Sequence, residues 1–140
     1  MYSQRIRSVM EPGKLLLAGP ETTVTEAAKL MAKKNVGAIV VVEGGRVVGI
    51  FTERDAVHRV IAKGLGARTT RIAEVMTPSP KTIGPNETFG QALLAMYEGG
   101  FRHLPVVEKD KPIGIVSARS ALDPDLEEFV AEAQRRIHIR

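Results

Sequence analysis

Residues 49–55 read GIFTERD and residues 114–120 read GIVSARS. Both open Gly-Ile-apolar, continue with a hydroxyl residue and carry Arg in the sixth place. The first ends in Asp55, the second in Ser120. A phrase written twice points to an internal repeat. Sliding the chain by 65 residues lays Pro20 on Pro85, Thr23 on Thr88, Ala27 on Ala92 and Met31 on Met96. The same slide lays Val41-Val42-Glu43 on Val106-Val107-Glu108, Gly49-Ile50 on Gly114-Ile115, and Arg54 on Arg119. Upstream, Val9-Met10 and Pro12 match Val75-Met76 and Pro78 at a slide of 66, so one residue was gained or lost between. Chance matches a few apolar positions, but not Gly, Pro, Met and Arg in one register.

Each copy parses alike. TVTE (23–26) and TFGQ (88–91) set Thr three residues before Glu or Gln, the spacing of a capping box that opens a helix. The helix carries Ala27, Leu30 and Met31 in one copy and Ala92, Ala95 and Met96 in the other, the spacing of a buried face. Asn35-Val36-Gly37 and Gly99-Gly100 suit left-handed helix ends, with Gly as the expected cap. Two strands around a turn follow: VGAIVVV and RVVGIF about Glu43-Gly44-Gly45, then HLPVV and PIGIV about EKDK. A second helix closes each copy, TERDAVHRVIA in the first and a shorter one from SARSAL in the second. The unit is β-α-β-β-α, in the α/β (α+β) class. Its last strand is apolar on both faces, and one copy of some 60 residues cannot cover it alone. The expectation is two copies packed sheet to sheet with pseudo-twofold symmetry. Copy one spans 5–63, a connection 64–71, copy two 72–122, and a C-terminal helix and tail 123–140. Within that last segment, DPDLEEFVAEAQRR has Asp123 to cap, Pro124 in the first turn, and acids before Arg.

The chain has 140 residues, enough for one ordinary domain or two small halves sharing a core. Hydrophobic residues make 44% and aromatics only 4%. There is no Cys, which excludes disulfides, thiol catalysis and thiolate metal sites. Three scattered His do not make a metal site; His58 and His138 read as surface residues. The start, MYSQRIRSVM, lacks the apolar run of a signal peptide, and AIVVV (38–42) is far too short to cross a bilayer. The expectation is a soluble, cytoplasmic chain without membrane contact. Net charge is +4 and the sequence pI about 9.6, which permits anion binding. The basic residues are spread out, and the interleaved aromatics of a single-strand nucleic-acid binder are missing.

The paired units resemble a tandem pair of cystathionine β-synthase (CBS) domains, a Bateman module of the stand-alone bacterial or archaeal type. The resemblance spans about 5–125. It rests on repeat order, the VM-x-P openings, the RHLPVV strand (102–107) and GIFTERD together. It implies a regulatory module whose clefts between the copies bind adenine nucleotides or adenosyl compounds. The ligand it implies is AMP, ADP or ATP, with NAD(H) or S-adenosylmethionine as further members of the class. It also implies a homodimer joined through helical faces, and a regulated protein that the sequence does not name.

Thr52 stands where a strand passes into a helix, with Asp55 at the third helical position. One reading is a second capping box, with Asp in place of Glu. The other uses the same geometry for a ligand. Open N–H groups at a helix start favour phosphate, Thr52 can donate to it, and a carboxylate can accept both ribose hydroxyls. The resemblance implies the second role, and the two are compatible. It also places basic residues at the start of the partner copy's first hairpin strand in the cleft, here Arg102 and His103. Arg102 has the fork that fits phosphate. For the base the resemblance implies Ile50 and Lys81-Thr82-Ile83. The second cleft would join Ser117 and Ser120 to Gly37 and Ala38. It lacks the carboxylate and both cations, so one competent and one degenerate site are expected. Two other functions compete, a ligand-independent dimerisation or interaction module and a nucleic-acid-binding protein. No acid–base pair, nucleophile–base pair or metal set of an enzyme is visible.

Overall fold

Two hairpins set the architecture. β2 (Ala38–Glu43) pairs antiparallel with β3 (Arg46–Thr52), with Ala38 opposite Thr52 and Val40 opposite Ile50. β5 (His103–Glu108) pairs with β6 (Lys111–Ser117) in the equivalent register, His103 opposite Ser117. A two-residue turn that matches the strand twist needs positive φ at both central residues. Gly44 and Gly45 supply it at 60° and 80°; Lys109 and Asp110 adopt it at 52° and 66°. The computed structural model describes residues 2–121 and 132–136. Helical backbone runs over 132–136; the rest of the expected C-terminal helix and tail lies outside the described residues.

β1 (Leu17–Ala18) runs parallel beside β2, and β4 (Thr77–Pro78) antiparallel beside β3, so this sheet has the order β1-β2-β3-β4. β5 and β6 form the second sheet, to which Ile83 adds a parallel bridge at Val106. Glu11 donates its N–H to the Ile115 carbonyl at 3.0 Å, repeating the contact of Thr77 with Ile50.

The long helices are α2 (Val24–Lys34) and α5 (Phe89–Gly99). Thr23 accepts from the Glu26 N–H, and Thr88 with Gln91 closes a full capping box. The left-handed caps are Asn35, φ 56°, and Gly100, φ 71°. In copy one Asn35 therefore takes the place expected of Gly37, because Asn tolerates this region through its short polar side chain. Leu30, expected in the core, is 41% exposed. Its neighbours Ala27 and Met31 already fill the inward stripe. The second helix of copy one starts as α3 (Glu53–Asp55) and widens into a π-helical segment, Ala56–Ile61. In copy two a 3₁₀ segment, Ala118–Ala121, follows β6.

Two cores lie under the sheets. The first gathers Val24, Ala27, Met31, Ile39, Val41, Phe51 and Val60. The second gathers Phe89, Ala92, Met96, Leu104, Val106 and Val116. Each is completed by a short helix from the other copy's sequence span. α1 (Ile6–Val9) buries Ile6 in the second core, with the Ile6 N–H on the Glu87 carbonyl at 2.8 Å. α4 (Ile72–Val75) buries Ile72 and Val75 in the first, with the Ile72 N–H on the Thr22 carbonyl at 2.8 Å. A third cluster, Ala38, Val40, Ile50 and Ile115, joins the sheets face to face. The fold is mixed α+β, two interlocked copies about a pseudo-twofold axis.

Candidate functional site

Thr52 is the last residue of β3 and the cap of α3. Its backbone N–H donates to Asp55 Oδ2 at 2.9 Å and its hydroxyl to the same oxygen at 3.2 Å. The Asp55 N–H returns a bond to Thr52 Oγ1 at 3.3 Å. This is the reciprocal capping box read in the sequence. It also holds a carboxylate only 7% exposed in one orientation. Asp55 Oδ1 faces Arg59 Nε at 3.5 Å. A carboxylate oxygen accepts about two hydrogen bonds, so Oδ1 keeps capacity for a further donor.

Copy two contributes the start of β5. The Arg102 carbonyl accepts from the Ala118 N–H at 2.9 Å, as the Gly37 carbonyl does from the Glu53 N–H at 3.1 Å. Each bond ties the start of a hairpin to the segment that follows it. Arg102 is exposed and His103 half-buried at the head of β5. A Cβ on Gly37 would lie 3.6 Å from His103 Nε2 and 3.4 Å from the Glu53 carboxyl carbon. Both Glu53 and His103 thus lie beside the Gly37 backbone. Burial holds the His103 imidazole below its ordinary pKa; Glu53 opposes this, and Arg119 and Arg102 reinforce it. Glu53 and Arg119 belong to this charge cluster and were missed in the sequence reading. Only their places in the repeated phrase, one after Thr52 and two after Ser117, hinted at them.

Ile50 is buried in the inter-sheet cluster, two residues from Thr52. Lys81 and Thr82 are exposed. Thr82 lines a depression of about 300 Å³ with Arg46, Val47, Ser79, Pro80, Val107 and Asp110. Arg46 and Val47 lie at the opposite end of β3 from Thr52, roughly 16 Å along the strand. The Ile83 side chain lies in the second core; its N–H donates to Pro105 and its carbonyl accepts from Val107. The structure thus fixes Thr52 against Asp55 and sets His103 among the charges of Glu53, Arg119 and Arg102, while Thr82 lines the depression beside the turns.

At the pseudo-symmetric position, Gly37 is half-buried, Ala38 buried and Ser117 half-buried. The side chain of Ser120 lies outside the described residues. Among the described residues no group of His, Asp and Glu could hold a metal ion, and no helix is long and apolar enough to cross a membrane.

Comparison with known proteins follows this geometry. The family model for the CBS domain matches twice, over residues 6–62 and 72–125. The CBS domain-containing protein YhcV of Bacillus subtilis is 39% identical over 98 residues, 70% of this chain and 69% of that protein. Other curated relatives are longer, and the chain spans 14–62% of them. A conserved protein from Pyrococcus horikoshii superposes with a TM-score of 0.82 at 33% identity, covering 89% of this chain and 94% of its own. The CBS domain pair of protein MJ0100, in complex with 5′-methylthioadenosine and S-adenosyl-L-methionine, shares the fold. Its TM-score is 0.76 at 23% identity, covering 84% of this chain and 96% of that one.

Proposed function

The chain belongs to the CBS domain family, and from that premise we propose that it is a regulatory module binding an adenine nucleotide or adenosyl compound in the cleft of Thr52, Asp55, Arg102 and His103. One observation carries the reading. Copy one holds a fixed, buried carboxylate beside a hydroxyl, and the next residue after that hydroxyl, Glu53, acts electrostatically on His103, which follows the exposed Arg102 on copy two. Those polarities match a ribose at one end and a phosphate at the other. The capping box supports this role, because it fixes the orientation of Asp55 before any ligand arrives. AMP, ADP and ATP fit the cations best; NAD(H) and S-adenosylmethionine share the adenosine part. Ser117, Ser120, Gly37 and Ala38 would form the weaker cleft. The role proposed is regulatory, in keeping with membership of the CBS domain family.

A thermal-shift panel of these compounds on nucleotide-stripped protein tests the proposal. Stabilisation by at least one of them, scaling with concentration, is expected. No shift with any of them, backed by flat calorimetric titrations, overturns it.

The homodimer belongs to the same proposal. The Ala/Met stripes of α2 and α5 are used in the chain's own cores. The helical side chains left for a second copy are Leu30, Val57, Ile61, Leu94 and Tyr97, all more than 40% exposed. A monomer mass by light scattering, with and without nucleotide, would remove this part.

A further inference from the structure

Arg59 is absorbed neither by the fold's cores nor by the ligand reading. It lies four residues after Asp55, in the π-helical segment. Its Nε is 3.5 Å from Asp55 Oδ1, while Nη1 donates to the carbonyls of Met76 at 3.0 Å and Val75 at 3.3 Å. Those carbonyls end α4, where a helix leaves acceptors without internal partners. One planar guanidinium therefore touches the candidate ribose acceptor on one side and the segment joining the copies on the other. That segment runs directly back to the site. Met76 lies over Gly49, and Thr77 pairs with Ile50.

Copy two provides an internal control. It repeats the packing, with Met10 over Gly114 and Glu11 bonded to Ile115. Yet its residues at the positions of Asp55 and Arg59 are Ser120 and Pro124. In the sequence, then, the arginine accompanies the carboxylate and not the Met–Gly pair. We propose that Arg59 is a positioning residue for Asp55 that couples the state of that carboxylate, and so occupancy of the cleft, to the α4–β4 segment. The link to occupancy rests on the ligand reading of Asp55; the link between Asp55 and the segment does not.

Hydrogen exchange by mass spectrometry on peptides spanning 72–80 tests both links. The first arm uses the ligand-free chain and compares wild type with Asp55→Asn, Arg59→Ala, Arg59→Lys and the Asp55→Asn/Arg59→Ala double variant. Asp55→Asn keeps an oxygen acceptor for the cap, so the helix start survives. Each of Asp55→Asn and Arg59→Ala should speed exchange in 72–80 by about tenfold. The double variant should go no further, Arg59→Lys should fall between, and β5–β6 peptides should not change. Unchanged exchange in Asp55→Asn, or effects that multiply in the double variant, overturns the proposal. The second arm adds saturating AMP. It should alter exchange in 72–80 in wild type and not in Arg59→Ala that still binds. A response that persists in Arg59→Ala overturns the coupling. If wild type binds no adenosine compound, the ligand reading fails, and the first arm still decides the structural link.

Discussion

The two cores and the two clefts respond differently to the same duplication. In the cores, copy one has Val24 on its helix and Phe51 on its strand, while copy two has Phe89 and Val116 at the same places. The ring has changed element and its volume has stayed. At the positions proposed for the clefts, Asp55, Arg102 and His103 are matched in the other copy by Ser120, Gly37 and Ala38, none of which carries a charge. A core tolerates exchange because packing depends on summed volume and shape. A binding site does not, because a charge acts only where the ligand's partner group will be. The duplication can therefore keep two cores while Asp55, Arg102 and His103 each survive in a single copy.

The largest effect should come from breaking the volume balance. Phe51→Ala should cost about 3–5 kcal/mol of stability. Phe51→Val together with Val24→Phe, which copies the arrangement of the second core, should recover most of the loss relative to Phe51→Val alone. Denaturant unfolding of these variants checks it, and no recovery would mean that the cores are not interchangeable. Next comes the carboxylate. Asp55→Ala should weaken nucleotide binding by about 2–3 kcal/mol, some 30- to 150-fold. Ser120→Asp should create no second strong site, because Gly37 and Ala38 bring no cation. Titration calorimetry decides both, and full-affinity binding by Asp55→Ala would reduce Asp55 to a helix cap. Arg102→Ala should cost about 1.5–3 kcal/mol for AMP and much less for adenosine. Equal losses would place Arg102 away from the phosphate.

Smaller effects sharpen the comparison further. The turn at Lys109-Asp110 holds two ordinary residues at positive φ, where copy one has glycines. Replacing them with Asn-Gly should stabilise by about 0.5–1 kcal/mol. The smallest effect is a pH slope. With the folded pKa of His103 below its ordinary 6.5, the unfolded chain binds more protons between the two values. Its contribution is therefore fully present above 6.5 and declines as pH falls toward the folded pKa. His103→Gln should flatten the loss of melting temperature between pH 7 and 5, and an unchanged slope would assign that loss to other groups.

What was legible lay within a few residues along the chain. The box of Thr52 and Asp55, the box of Thr88 and Gln91 and the Gly44-Gly45 turn are four-residue or two-residue devices, so their chemistry shows in the sequence. Leu30 was misplaced because helical spacing identifies a stripe without fixing its width. Lys81, Thr82 and Ile83 were assigned to the cleft by resemblance. In the structure the backbone of Ile83 bonds to Pro105 and Val107, and Thr82 lies beside the turns.

The sequence by itself determined the duplication, the order of elements in each copy, the caps and turns, and which copy carries the carboxylate and the cations. These follow from residue type at fixed local spacing, where backbone geometry leaves few choices. Only the tertiary structure decided that α1 and α4 trade places between the cores, that Glu53 and Arg119 join His103, and that Arg59 reaches from Asp55 to the end of α4. Those contacts join residues 16 to about 80 positions apart, at separations where no periodicity or capping rule operates. They exist because two copies had to cover each other's apolar strands, and that packing alone chose which side chains would meet.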